Sequence, residues 1–423
     1  MSPRMRARSP LTHKKYAESL AVWLNFLETV GSSWDRATFD DAEGFKEWRM
    51  TDERNPERVM GSTFAANLAA LRSFYRWASL AHGVTDPVSA VDDWDLAPTS
   101  RYRRKVKWLD PGGYQRWRDI GMRGLGLDGR TDPAWRGRND QRDGAFVDGL
   151  YGSGLRLAEW SSVLVREVPG LSAGQGYTTC LLASACAKGG YGRKYWLPRV
   201  ALAGALDYIE GARARAVRRA QAAGVYDRLK HRWLVIGEAG SQLELRSADA
   251  TCRKARMDLL SPDARLNLYR EGPMGLEPMA LWLNENGLPR PAHSWQHTFT
   301  QANVRIAQLG LRNFSATAHM LRHSCALRWY SIGKLIYQRR LGHLSDEETR
   351  DFRQQFGDTW HLVATYLGHR NPETTKMYYL EPFRSLDIEL LLHHAHGANA
   401  DSLIDALLAD HPLVLRDPLR HEG

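Results

Sequence analysis

The sequence predicts a mainly α-helical chain with a small antiparallel sheet, arranged as a helical N-terminal domain followed by a larger mixed domain. Three observations carry this reading. Apolar residues recur at helical spacing through the first hundred positions, two short β-type runs flank the turn Lys188-Gly189-Gly190-Tyr191-Gly192, and 423 residues exceed what one compact core ordinarily encloses.

The first helix is expected from Thr12 to about Val30, where Tyr16, Leu20, Trp23, Leu24, Leu27 and Val30 fall on one face. A shorter one follows over Phe39 to Arg49. A third carries Phe64, Leu68, Leu71, Phe74, Tyr75 and Ala78, with Ser62 or Thr63 as its cap. Residues 1–97 therefore read as one helical domain, and periodicity alone suits a plain bundle with no partner as well as a binding module.

Asp86-Pro87 and Ala97-Pro98 break the pattern, and residues 98–107 form a linker carrying Arg101, Arg103, Arg104, Lys105 and Lys107. A charge run is ordinarily a solvated surface. Here it lies between two domains, where a chain wrapping a duplex would cross the phosphates.

The second domain is read as 108–383. A loop rich in Gly, Arg and Asp, from Gly121 to Asp143, leads to a helix around Gly144 to Leu164, bent at Gly152 and Gly154, with Arg156 and Glu159 one turn apart after the bend. Strands are expected at Tyr177–Ala185 and Arg193–Leu197, which puts Lys188 in a hairpin turn. Leu202 to Gly224 reads as a basic helix with Arg213, Arg215, Arg218 and Arg219, and Trp233 to Ile236 as a strand. Residues 247–278 are taken as an insertion or an extra helical element. Ser294 to Leu309 is helical, and so is Ala318 to Tyr330, where His319 and Arg322 share a face beside the apolar stripe Leu321, Cys325, Trp329. Near the end, Asn371 caps a helix opening at Pro372 that carries Tyr378. The tail, residues 384–423, is leucine-rich.

Lys and Arg outnumber Asp and Glu 58 to 48, a formal charge of +10 that favours a polyanionic partner. No window approaches the roughly 18 to 20 apolar residues of a membrane span, and the basic N-terminal stretch has no apolar core, so a cytoplasmic location without a membrane partner is expected. Cys180, Cys186, Cys252 and Cys325 form no Cys-x-x-Cys pair and read as buried, reduced thiols. His393, His394 and His396 have no partner ligand at regular spacing, so no metal and no cofactor are expected.

Two arginines, a lysine, two histidines and a tyrosine, with no paired carboxylates, describe a site for a phosphate-like reactant. Guanidinium forks match non-bridging phosphate oxygens and hold the added charge of a pentacoordinate transition state. A tyrosine hydroxyl, whose ordinary pKa is about 10, attacks once a cationic surround and a base lower the cost of ionising it. A lysine or histidine can protonate the departing oxygen.

Gly152-Ser-Gly-Leu-Arg-Leu-Ala-Glu159, a lysine in a hairpin turn, His319-Met-Leu-Arg-His323, and Leu367-Gly-His369 followed by Thr374-Thr-x-x-Tyr378 occur in this order. Together they resemble the tyrosine recombinases, or phage integrase family. The likeness covers most of the chain: residues 1–97 look like the core-binding domain that clamps DNA, and Trp108 onward like the catalytic domain. It implies that Arg156 and Arg322 bind the phosphate, Lys188 is the general acid, His319 assists proton transfer, His369 hydrogen-bonds the scissile phosphate and Tyr378 is the nucleophile. Arg193 and Lys194, beyond the same turn, rival Lys188.

Leu-Gly-His occurs twice, at 341–343 and 367–369. The family's spacing after Arg322 suits His343 better, but nine residues after His369 comes Tyr378, whereas no tyrosine stands nine after His343. Residues 345–360 are accordingly read as an insertion. Tyr379 points about 100° away from its neighbour on a helix and is expected to pack.

The resemblance implies a site-specific DNA recombinase or integrase that works through a 3′-phosphotyrosyl link without metal or ATP. Its partners would be double-stranded recombination sites at the nucleoid, bound by a homotetramer on two sites whose tail docks on a neighbouring protomer. A type IB topoisomerase-like activity and a non-catalytic DNA-binding module are the alternatives.

Overall fold

The computed structural model describes residues 10–88, 96, 107–172, 176–341, 345, 347, 359–368, 414–415 and 417–419. Two compact units emerge, Met1–Arg104 and Lys105–Gly423.

The first unit is helical: α1 (Pro10–Thr29), α2 (Phe39–Met50) and α3 (Gly61–His82). Trp23, Phe45, Phe64 and Tyr75 are fully buried between them; all but Phe45 are among the apolar positions picked out by the helical recurrence. Each such side chain contributes on the order of 2 kcal/mol. Trp23 Nε1 donates to the Tyr75 hydroxyl at 3.0 Å, which donates onward to the Trp34 carbonyl at 3.0 Å, so the ring edges inside the bundle are satisfied. Thr38 and Asp41 form a capping box at the start of α2. The expected Ser62 or Thr63 cap is not used. The helix begins two or three residues earlier, at Gly61, because the Met60 carbonyl already accepts the Thr63 and Phe64 amides at 2.9 and 3.1 Å.

In the second unit, β1 (Trp108–Leu109) leads into α4 (Pro111–Gly121), capped by Asp110, and then α5 (Asp140–Ser153) and the short α6 (Leu157–Ser161). The single helix expected over 144–164 is thus two, separated at Gly154. The hairpin β2 (Tyr177–Leu182) and β3 (Arg193–Pro198) is antiparallel with Leu182 opposite Arg193. Next come α7 (Arg199–Tyr208), a π turn (Ile209–Arg213) and α8 (Ala214–Ala222). Arg213 is not part of the expected basic surface: it is 5% exposed and donates to the carbonyls of Pro278, Ala280 and Leu281.

Residues 233–278 form a five-stranded sheet of order β6-β5-β4-β7-β8: β4 (Trp233–Ala239), β5 (Gln242–Ser247), β6 (Cys252–Arg256), β7 (Leu268–Gly272) and β8 (Gly275–Pro278), with the one-turn α9 (Pro262–Leu266) between β6 and β7. Only the β4–β7 pair is parallel. The stretch 247–278, expected to be an insertion or an extra helical element, supplies three strands of this sheet, β6, β7 and β8, with the short α9 among them. Leu243, Leu245 and Leu268 of the sheet, with Met279 just after it, are buried in one cluster with Leu164.

The chain then enters α10 (Ser294–Gln308), α11 (Ala318–Leu341) and α12 (Thr359–Leu367). In α11, Leu321 and Cys325 are buried, and Trp329 packs against the cluster of Trp108, Leu327 and Leu367. The last described segment, β9 (Val414–Leu415), pairs in parallel with β1 of the same chain, and Asp417 binds Arg116 through two contacts at 2.9 and 3.0 Å. Cys180, Cys186 and Cys325 are buried, but Cys252 is exposed, because it opens the edge strand β6. Among the described residues no helix is long and apolar enough to cross a membrane.

Candidate active site

The site begins where α5 ends. Gly154 closes that helix with φ +63°, its amide donating to the Leu150 carbonyl. A methyl here would also lie 2.9 Å from the Leu367 side chain and 3.1 Å from Cys325 Sγ. Both the left-handed backbone and the close approach thus require glycine. Two residues on, Arg156 takes an extended conformation and caps α6.

Glu159, one turn into α6, gathers what lies around that turn. Its side chain is 2% exposed. Oε2 accepts the Arg156 amide at 2.9 Å and Arg193 Nη2 at 2.8 Å; Oε1 accepts Arg156 Nη1 at 2.8 Å, Arg193 Nη1 at 3.2 Å and the Lys188 amide at 3.4 Å. Burial alone would raise the carboxyl's pKa, but the hydrogen bonds and charge of Arg193, then the charge and amide of Arg156, outweigh it and hold the group at about 2. Glu159 is accordingly ionised, and the Arg156 turn and the β2–β3 hairpin meet on it.

Arg322 supplies the second link. It is 1% exposed, and its guanidinium donates to the Gly154 carbonyl through Nη1 and to the Leu367 carbonyl at 2.8 Å through Nη2. Arg322 therefore ties the turn before Arg156 to the end of α12, where Gly368 leaves the helix with φ +69°. α12 is itself fixed by Tyr366, stacked on Trp196 with ring centroids 5.3 Å apart and donating from its hydroxyl to the Gly152 carbonyl at 2.8 Å. Burial pushes this phenol's pKa far up. Tyr366 is thus a structural phenol and not a nucleophile.

Of the residues expected from sequence, Arg156, Lys188 and Arg322 are brought to one place, joined by the Glu159 and Arg322 hydrogen bonds. Lys188 is exposed in its turn, with its side chain open to solvent. His319 is exposed at the first turn of α11, its ring edge-on to that of the buried His323 at 4.2 Å. Lys107 is exposed. His369, Tyr378, Arg101, Arg103, Arg104 and Lys105, along with His343, Tyr379 and His393 to His396, lie outside the described residues.

Sequence reasoning noted the Arg156–Glu159 spacing but not that Glu159 is the hub, and it weighed Arg193 only as a rival to Lys188. The available signal was a lone buried-type carboxylate one turn after the first arginine, amid an excess of cations. Two guanidinium groups, those of Arg156 and Arg193, pair with this one carboxylate, which leaves an excess of positive charge beside the Arg156 turn.

Residues 3–82 match the family model for the phage integrase N-terminal SAM-like domain. Comparison with curated proteins gives no match. Among solved structures, a post-cleavage complex of the XerH site-specific recombinase on palindromic difH substrate is similar at 14% identity and a TM-score of 0.52, over 89% of this chain and 77% of that one. A lambda integrase dimer on a core site is similar at 12% identity and 0.45, over 90% and 92% of the two chains. The Tn1549 transposon integrase with transposon right-end DNA is similar at 14% and 0.43, over 93% and 96%. The XerH likeness is the one that carries the fold.

Proposed function

We propose, on the premise that this chain belongs with the tyrosine recombinases by its N-terminal domain and its fold, that it is a site-specific DNA recombinase acting through a 3′-phosphotyrosyl intermediate. One observation carries this reading. Arg156, the Lys188 turn and the segment entering His369 come from distant parts of the sequence, and Glu159 and Arg322 draw them to one cationic site.

In this reading Arg156 and Arg322 neutralise the non-bridging oxygens of the scissile phosphate as a fifth oxygen adds. The Tyr378 oxygen forms a bond to phosphorus and gives up its proton with the help of His319. The bond from phosphorus to the 5′ oxygen breaks, its electron pair passing to that oxygen, which Lys188 protonates. His369 hydrogen-bonds the phosphate. The ester energy stays in the tyrosyl link, so the reverse attack by a 5′-hydroxyl of a partner duplex needs no ATP, and no step calls on a metal.

Residues 1–97 would clamp the duplex with 108–383, the linker 98–107 crossing phosphates between them. The protein would act as a tetramer on two sites, the leucine-rich stretch from Leu386 to Leu408 docking on a neighbouring protomer.

Incubation with a nicked suicide substrate, followed by mapping of the DNA-linked peptide, tests this. Wild type is expected to accumulate a covalent adduct at Tyr378, and Tyr378→Phe to bind the same DNA with no adduct. Attachment by the Phe variant, or loss of attachment in Tyr379→Phe instead, refutes the assignment. Relaxation of supercoils by a monomer without strand exchange would move the chain to the topoisomerase reading.

A further inference from the structure

We propose that Arg193 is a positioning residue of this site: it holds Glu159, and through it the Arg156 segment and the Lys188 turn, against Gly368, the residue before His369. The inference rests on the strand-transfer reading above and adds a part to it.

Arg193 opens β3 at the mouth of the hairpin, opposite Leu182. Its side chain is 14% exposed and forks onto both oxygens of Glu159, at 3.2 and 2.8 Å. The same side chain lies directly against the backbone of Gly368: a methyl built there would fall 2.1 Å from Arg193 Nε, 2.3 Å from Cδ and 2.6 Å from Cζ. One guanidinium thus touches, directly or through a single carboxylate, the Arg156 turn, the Lys188 turn and the end of α12.

The arrangement is a costly way to obtain stability alone. Arg193 Nε is buried with no hydrogen-bond partner among the described residues, and an unmet buried donor is destabilising. An apolar pair of similar volume would do as well or better for the fold. What a guanidinium adds is geometry. Its planar fork fixes the plane of the carboxylate that in turn sets the Arg156 and Lys188 amides. Arg156 cannot do this for itself, because its own guanidinium reaches Glu159 through Nη1 alone and must face the reactant.

The test uses the full chain and two suicide substrates, one ordinary and one with sulfur in place of the bridging 5′ oxygen. When the phosphorus–sulfur bond breaks, the pair passes to a sulfur whose thiol pKa is about 8.5, so departure no longer needs a proton from Lys188. Arg193→Gln is expected to bind DNA within about 3-fold of wild type and to form the adduct about 100-fold more slowly on the ordinary substrate, the scale of a misplaced catalytic group. Much of that loss should be recovered on the sulfur substrate. Arg193→Lys, which keeps the charge without the fork, is expected to behave alike and serves if the Gln variant does not fold.

Wild-type rates in both variants on the ordinary substrate would overturn the inference, as would an equal loss on both substrates. If wild type itself forms no adduct, the strand-transfer reading fails first, and the two failures are thereby told apart.

Discussion

At Glu159 burial opposes ionisation while two arginines and the Arg156 amide favour it, and the second group wins, placing the carboxyl at about 2 against an ordinary 4.5. The consequence for stability has a definite sign. A carboxyl depressed in the folded state stabilises fully above its unfolded pKa, near 4.5, and that contribution is lost as pH falls from there toward 2. With the side chain almost wholly shielded, the contribution is on the order of 3 kcal/mol. Glu159→Gln should therefore unfold at lower urea than wild type at pH 7, and the gap should narrow as pH drops below about 4.5. Urea midpoints of both proteins from pH 7 to pH 3 would check this; a constant gap would mean that the carboxylate's charge does not contribute.

Gly154 belongs to the scale of elements, since it lets α5 stop and α6 start at a new angle under α12. Gly154→Ala must place a methyl into Leu367 and Cys325 at φ +63°. The left-handed backbone and the overpacking together should cost roughly 2 to 4 kcal/mol, read as a lower melting temperature with reduced adduct formation, because the turn also aims Arg156. Elements of this kind were legible in the sequence where period or turn chemistry is strong. The helices of the first unit and the β2–β3 hairpin follow the apolar pattern and the glycine-rich turn closely. The five-stranded sheet was not legible. β6, Cys-Arg-Lys-Ala-Arg, shows no apolar alternation, and its place is set by pairing with β5, while β4 finds β7 across two intervening strands and a helix. The π turn was equally hidden, since the Gln141 side chain enters from another helix to take the Ala212 amide at 2.8 Å. In the site, spacing picked out Arg156 and Arg322, but the role of Glu159 and Arg193 exists only once the hairpin and α6 have met.

For the whole molecule the question is how the end of the chain is used. β9 seats on β1 of the same chain, Trp108 opposite Val414 and Leu109 opposite Leu415, and the Arg116–Asp417 pair anchors it with both side chains a quarter exposed or less. Val414, Leu415 and Asp417 thus complete their own unit, while the apolar positions Leu386, Ile388, Leu390, Leu403 and Leu407 are those proposed to reach a neighbouring protomer. A simple truncation after Phe383 would remove both at once and confuse unfolding with failed assembly. Leu390→Glu with Leu407→Glu separates them, since β9 and Asp417 are kept. The double variant is expected to melt within a few degrees of wild type and to bind a single site as a monomer, yet to form no paired complex in gel-shift and sizing experiments. Normal two-site assembly would refute docking in trans, and a large fall in melting temperature with assembly intact would place those leucines on the chain's own catalytic unit.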